Sequence, residues 1–214
     1  MASGFVPRCR RSAVPVLAST ALIVGVVSGC SGEAVSPDRC DTVSAPLSDV
    51  PSRTDQEPRM RLPVPTGWER STKMDSESIR FAIRNPGLAA GGFTPNAVVT
   101  LQKVSSDIGK PDQILDAQNK QLTQKLKVTD MTSVKTQVCG APALSSSYTA
   151  PGVKIGGNVP EIPPRKATSL GAVYKKGDVS YVATVTVQSL KDAGPVYSQD
   201  AETILKGFQL LPAS

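Results

Sequence analysis

No histidine occurs anywhere in this 214-residue chain. That absence removes Ser-His-Asp and Cys-His nucleophilic catalysis and the zinc sites that depend on imidazole. Carboxylates remain for a glycosidase-like acid pair. The candidates are Asp75 with Glu77, and Asp112 with Asp116 one helical turn apart. All four lie in polar segments and read as solvated surface charge, so no catalytic residue and no enzyme activity are expected. Aromatic residues make up only 4% of the chain, and no basic run or arginine stripe is present. Without stacking rings or a cationic track for phosphates, nucleic acid is not expected as a partner. Gly91-Gly92 lacks the lysine and hydroxyl residue of a phosphate loop and does not open a helix after a parallel strand. No metal site and no cofactor are implied. Long apolar runs are also missing: Ala13 to Val27 is shorter than the roughly 20 residues a membrane-spanning helix needs.

That short run sits in an organised context. Arg8, Arg10 and Arg11 precede it, and Val27-Ser28-Gly29-Cys30 ends it with small residues and a cysteine. A basic opening, an apolar core and a small-residue exit are the parts of a secretory signal. Arg10-Arg11 is followed by Ser12-Ala13-Val14, which does not support a twin-arginine export signal. The cysteine just after the small residues resembles the lipobox of bacterial lipoproteins. The resemblance implies a diacylglycerol on the Cys30 sulfur and cleavage before it. A thiolate is the nucleophile that such chemistry requires. Each buried CH₂ is worth about 0.8 kcal/mol, so two or three acyl chains hold where one is marginal. Residues 1–29 are therefore expected as a signal peptide. The mature chain is expected outside the cytoplasm, anchored to the plasma membrane through Cys30. Three of the 24 basic residues and none of the 18 acidic ones fall in that signal, so the charge of +6 drops to +3.

Four cysteines reduce to one pair. Cys9 lies in the signal and Cys30 carries lipid, leaving Cys40 and Cys139 in an oxidising compartment. A disulfide between them is expected as a structural staple, since no CxxC spacing suggests exchange chemistry. Residues 31–59 are rich in Ser, Pro, Asp and Thr and poor in large apolar groups. Such a segment cannot bury enough surface to offset its ordering entropy. Residues 30–59 are accordingly expected as a flexible tether, pinned at Cys40 and compatible with O-glycosylation. Residues 60–214 are expected as a single globular domain.

Within that domain, Leu62-Pro63-Val64-Pro65 is expected at a sheet edge, because proline cannot donate to a central ladder. Ile79, Phe81 and Ile83 alternate with Arg80, Ala82 and Arg84, which predicts a half-buried strand. Asn85-Pro86-Gly87 stops it. Asn96 to Val104 alternates again, with Ala97, Val99 and Leu101 on one face. Pro111 opens a helix to Leu126, with Leu115, Leu122 and Leu126 on one stripe. Val128–Val138 and Pro142–Thr149 read as a strand pair broken at Cys139-Gly140. Residues 150–166 form a long Pro- and Gly-rich loop, and loops of that length are often functional. Thr168–Lys175 and Val179–Gln188 flank a glycine turn as a hairpin. A last helix follows Gly194-Pro195, with Tyr197, Ala201, Ile204 and Leu205 as its apolar stripe and Gly207 as its cap. Phe208 and Leu210 then close on the core. This order predicts an α+β fold, an antiparallel sheet flanked by helices.

The lipobox at Cys30, Pro65-Thr66-Gly67-Trp68, Phe93-Thr94-Pro95-Asn96 and Cys139-Gly140-Ala141-Pro142 resemble the mycobacterial lipoprotein family that includes LpqN and LpqT. The resemblance covers about residues 60–212. It implies a Mog1/PsbP-like fold, with a central antiparallel sheet sandwiched by helices, in an actinobacterial envelope lipoprotein. It also implies a non-enzymatic protein that binds a lipid or glycolipid and assists mycolate-type lipid transport beside envelope transport proteins. The alternative it leaves open is a protein-interaction adaptor, or a host-interacting surface lipoprotein without a lipid ligand. Four residues are candidates for ligand contact. Trp68 either plugs the core or walls a pocket. Phe93 sits on a glycine-bearing loop, in the core or at a pocket mouth. Arg80 and Arg84 share one strand face by alternation, either wet or placed to hold a polar head group.

Overall fold

Alternating side chains make the strands, and the faces they bury decide the layers. The computed structural model describes residues 35–105, 109–153, 161–190 and 193–213. Among these are β1 (Leu47–Val50), β2 (Arg59–Pro63), β3 (Glu69–Arg70), β4 (Ile79–Arg84), β5 (Asn96–Val104) and helix α1 (Pro111–Lys125). They continue with β6 (Thr129–Val138), β7 (Ala141–Ala150), β8 (Arg165–Lys176), β9 (Val179–Leu190), helix α2 (Gly194–Lys206) and β10 (Gln209–Leu211). The signal peptide and Cys30 lie outside the described residues.

Seven strands form an antiparallel sheet in the order β3-β4-β5-β9-β8-β7-β6. β1, β2 and β10 form a second antiparallel sheet, with β2 in the middle. On β9, Val179, Tyr181, Ala183, Val185 and Val187 turn one face to the main core, where Leu62, Ile204, Phe208 and Leu210 meet them. The intervening Val182 faces the other way and packs with Val173, Leu144 and the α1 residues Ile114 and Leu115. Helix α1 therefore covers one face of the large sheet. The small sheet and α2 cover the other. This is the expected α+β arrangement.

Two tight turns follow from local chemistry. Cys139 and Gly140 join β6 to β7 with φ of 51° and 86°. A two-residue hairpin loop of type I′ requires positive φ at both positions. Gly177 opens the β8–β9 turn with φ 59°, where a glycine is tolerated at no steric cost.

Three expectations are corrected by the packing. β2 is a central strand, not an edge. Pro63 is its last residue, paired only with Leu47, and the pairing with β10 reaches no further than Arg61, so the missing N–H interrupts no ladder. The described part of the expected tether, residues 35–59, belongs to the fold. β1 pairs with β2, Val50 and Glu57 are buried, and Val35 and Cys40 pack on the main core. A few anchoring side chains and the Cys40–Cys139 disulfide do what the average composition argued against. Leu126, at the C-terminal end of α1, is 59% exposed, whereas Ile114, Leu115 and Leu122 carry the contact with the sheet. The apolar stripe outruns the surface that it covers.

Gly207 ends α2 as expected, but not for its backbone freedom. Its φ is −90°, open to any residue. A Cβ there would lie 2.7 Å from Pro63 Cγ and closer still to Val43. Gly207→Ala should lower stability by about 1–3 kcal/mol through overpacking, measured by urea unfolding. An unchanged midpoint would show that Val43 and Pro63 yield freely.

A candidate ligand groove beneath helix α2

The stripe on α2 is wider than the core beneath it. Ile204 is completely buried, while Tyr197, Ala201 and Leu205 remain only partly covered. These three face a groove of about 760 Å³ whose opposite wall is the outer half of the large sheet. Leu170 on β8, Ser145 on β7 and Val134 and Thr136 on β6 form that wall. Their registers place them on one face: Leu170 pairs with Ser145, and Ser145 with Val134. The lining is mainly apolar and the groove is open to solvent. Lys166, Lys206, Asp41 and Glu202 supply charges of both signs. Burial pushes the Tyr197 hydroxyl up from its ordinary pKa, and its hydrogen bond with Ser189 opposes that shift. Val134 is 68% exposed, an apolar side chain whose cover is lacking among the described residues.

The disulfide fixes one end of this groove. Cys40 is bonded to Cys139 in the β6–β7 turn, and the Ser36 N–H donates to the Cys139 carbonyl at 3.0 Å. Asp41, the next residue, lines the groove. Geometry and lining suit an elongated apolar ligand with a polar end, and the volume falls within the usual range for small-molecule sites. Among the described residues no cluster of three or more Cys, Asp or Glu could hold a metal ion.

The four candidate contact residues are not brought together. Trp68 is 6% exposed and packed in the main core, with its indole N–H donating to Asp200 on α2 at 2.8 Å. It supports the groove helix from behind. Phe93 is half-buried and lines a separate apolar hollow of about 330 Å³ with Leu88, Pro95 and Leu190. Arg80 and Arg84 do not share an environment, contrary to the alternation. A bulge between Ile79 and Phe81 changes the register at Arg80. Arg80 is buried and makes a two-pronged ion pair with Glu57 at 2.7 and 3.0 Å. Arg84 stays at the surface, paired with Glu69 at 2.8 Å. The acids expected as surface charge behave so: Asp75 pairs with Arg70 and Asp112 with Lys135, all at least partly exposed. The groove residues on α2 have a signal in the sequence, the apolar stripe, but Val134 and Thr136 have none. Their role comes from the distance that α2 keeps from β6.

The architecture is a layered α+β scaffold with an open apolar groove between a helix and its sheet. The family model described as probable lipoprotein LpqN matches residues 46–211, and the chain belongs to that family. A crystal structure of LpqN from Mycobacterium tuberculosis, described as involved in cell envelope biogenesis, is similar in fold. Its TM-score is 0.59 at 18% identity, covering 78% of this chain and 91% of that one. The Ran-binding protein Mog1p of Saccharomyces cerevisiae matches with a TM-score of 0.43 at 13% identity, covering 78% and 97% of the two chains. No curated protein matches the sequence.

Proposed function

We propose that this protein is a non-enzymatic envelope lipoprotein that binds the acyl part of a lipid or glycolipid in the groove between α2 and the outer strands, and assists its transport. The observation carrying this reading is the half-covered α2 stripe opposite Leu170 and Val134 across about 760 Å³ of mainly apolar space. An acyl chain leaving a bilayer must cross water, and burying each CH₂ offsets about 0.8 kcal/mol. Charged residues at the rim would meet a polar head group. Lipidation at Cys30 would supply the location. Cys40 follows Cys30 by ten positions, and a fully extended chain spans at most about 3.5 Å per residue. The end of the groove then lies within about 35 Å of the membrane surface. The LpqN relative's part in envelope biogenesis supports the same reading.

The protein purified from a mycolate-bearing host should carry acyl species detectable by native mass spectrometry. Ala201→Trp, which fills the groove, should deplete them about tenfold or more, given the several CH₂ groups displaced. Absence of acyl species from the wild type, together with no binding of acyl-trehalose probes, would overturn the lipid reading and favour the adaptor.

A further inference from the structure

The α1-covered face of the large sheet carries a second hollow, of about 320 Å³, at the open end of α1. Leu122, Val128, Tyr148 and Ala167 build its inner wall, and they form a small apolar cluster apart from the main core. At its mouth stand Leu126, 59% exposed, and Val153, 42% exposed. Few large apolar side chains of the described residues are so exposed, and these two share one opening. Single exposed apolar residues need no explanation, but a pair around a cavity marks a binding mouth.

Arg165 stands at the same hollow. Its Nε donates to Gln188 Oε1 at 3.1 Å and one terminal nitrogen reaches the Pro163 carbonyl at 3.4 Å. Its guanidinium lies 5.6 Å from the centre of the Phe93 ring. No carboxylate pairs with it among the described residues. Burial pulls its pKa down from the ordinary value, so the cation is partly stripped of water. The Tyr148 hydroxyl is occupied by Ser169 and Thr186 and leaves the apolar wall intact. A guanidinium held by neutral acceptors, beside an apolar hollow, is complementary to an anionic head joined to an apolar tail.

We infer that this hollow is a binding site for a single-chain anionic amphiphile, with its head on Arg165 and its tail against Leu122, Val128 and Tyr148. It is distinct from the α2 groove and stands whether or not that groove carries lipid. The probe is decanoate, titrated calorimetrically into the protein, with decanol and acetate as controls. Decanoate should bind, decanol about tenfold or more weakly, and acetate not at all, because both charge and tail are used. Arg165→Gln should reduce decanoate binding to the level of decanol. Leu126→Glu, at an exposed position beyond the end of α1, should weaken it about tenfold by placing a like charge at the mouth. Ala201→Trp, which fills the α2 groove, should leave the Arg165-dependent part of decanoate binding in place. Equal binding of decanol and decanoate, or decanoate binding insensitive to Leu126→Glu, would overturn the site. Loss of decanoate binding on Ala201→Trp alone would assign the ligand to the groove instead.

Discussion

Cys40→Ser should lower the stability of the protein by about 2–5 kcal/mol, the usual cost of losing a native disulfide. The bond spans 99 residues, and the chain-entropy account assigns about 4.7 kcal/mol to closing a loop of that size. For a domain of this size each kcal/mol moves the melting temperature by about 2–4 °C. Calorimetry should therefore show a drop of about 4–20 °C. Cys40 is the better partner to replace. Cys139 occupies a turn position with φ 51°, so its substitution would mix turn conformation with loss of the bond. The reducing agent dithiothreitol should reproduce the shift in the wild type and do nothing to the variant. A variant that melts with the wild type would mean that Ser36, Val35 and the main core hold this segment without the bond.

The second large effect is expected at the buried ion pair. The side chains of Arg80 and Glu57 are 7% and 9% exposed, and both guanidinium terminal nitrogens are engaged. Arg80→Met removes the only ion-pair partner seen for Glu57 among the described residues and leaves its carboxylate buried. Breaking one side of such a pair costs about 3–5 kcal/mol, whereas replacing both sides by apolar residues is often neutral or better. Chemical unfolding should find Arg80→Met far below the wild type, and the double variant Arg80→Met, Glu57→Leu close to it. A double variant as unstable as the single one would show that Glu57 acts through its hydrogen bond from the Arg53 N–H rather than through charge.

The same pair sets a pH dependence. Burial pushes Glu57 up, but the hydrogen bonds from Arg80 and the Arg53 N–H, with the charges of both arginines, outweigh it. The carboxyl ends below its ordinary value of 4.5. The unfolded chain then binds the proton more readily than the folded one. The contribution is complete above pH 4.5 and is lost as pH falls below it through the folded value. In Arg80→Met the burial that remains pushes the folded carboxyl up, so this acid-side loss should shrink or reverse, which a series of urea titrations between neutral and acid pH would detect.

Strand and helix identities are written in local pattern. Val179 to Val187 alternate with the single exception of Val182, so the residues alone state both the strand and its main buried face, and Cys139-Gly140 announces its turn. The limits of local pattern also have named causes. Alternation places Arg80 beside Arg84 because a one-residue bulge has no signature in hydrophobicity. Pro63 reads as an edge signal because its harmlessness depends on where β10 begins. Residues 35–59 resemble a tether because averaging composition hides three or four anchors, each with a site waiting elsewhere in the chain.

Unaided, the order of residues pointed to the α+β class, the helix and hairpin positions, the Cys40–Cys139 pairing and the exclusion of histidine chemistry, since each rests on residue type, residue count or short-range spacing. The groove, the buried Glu57–Arg80 pair and the hollow at Arg165 were settled only when distant segments met. Val134 and Tyr197 are 63 positions apart in the chain, and no local rule states how far a helix will stand from a strand. That distance follows from the packing of Ile204 and Gly207 against the small sheet, which is a property of the assembled layers.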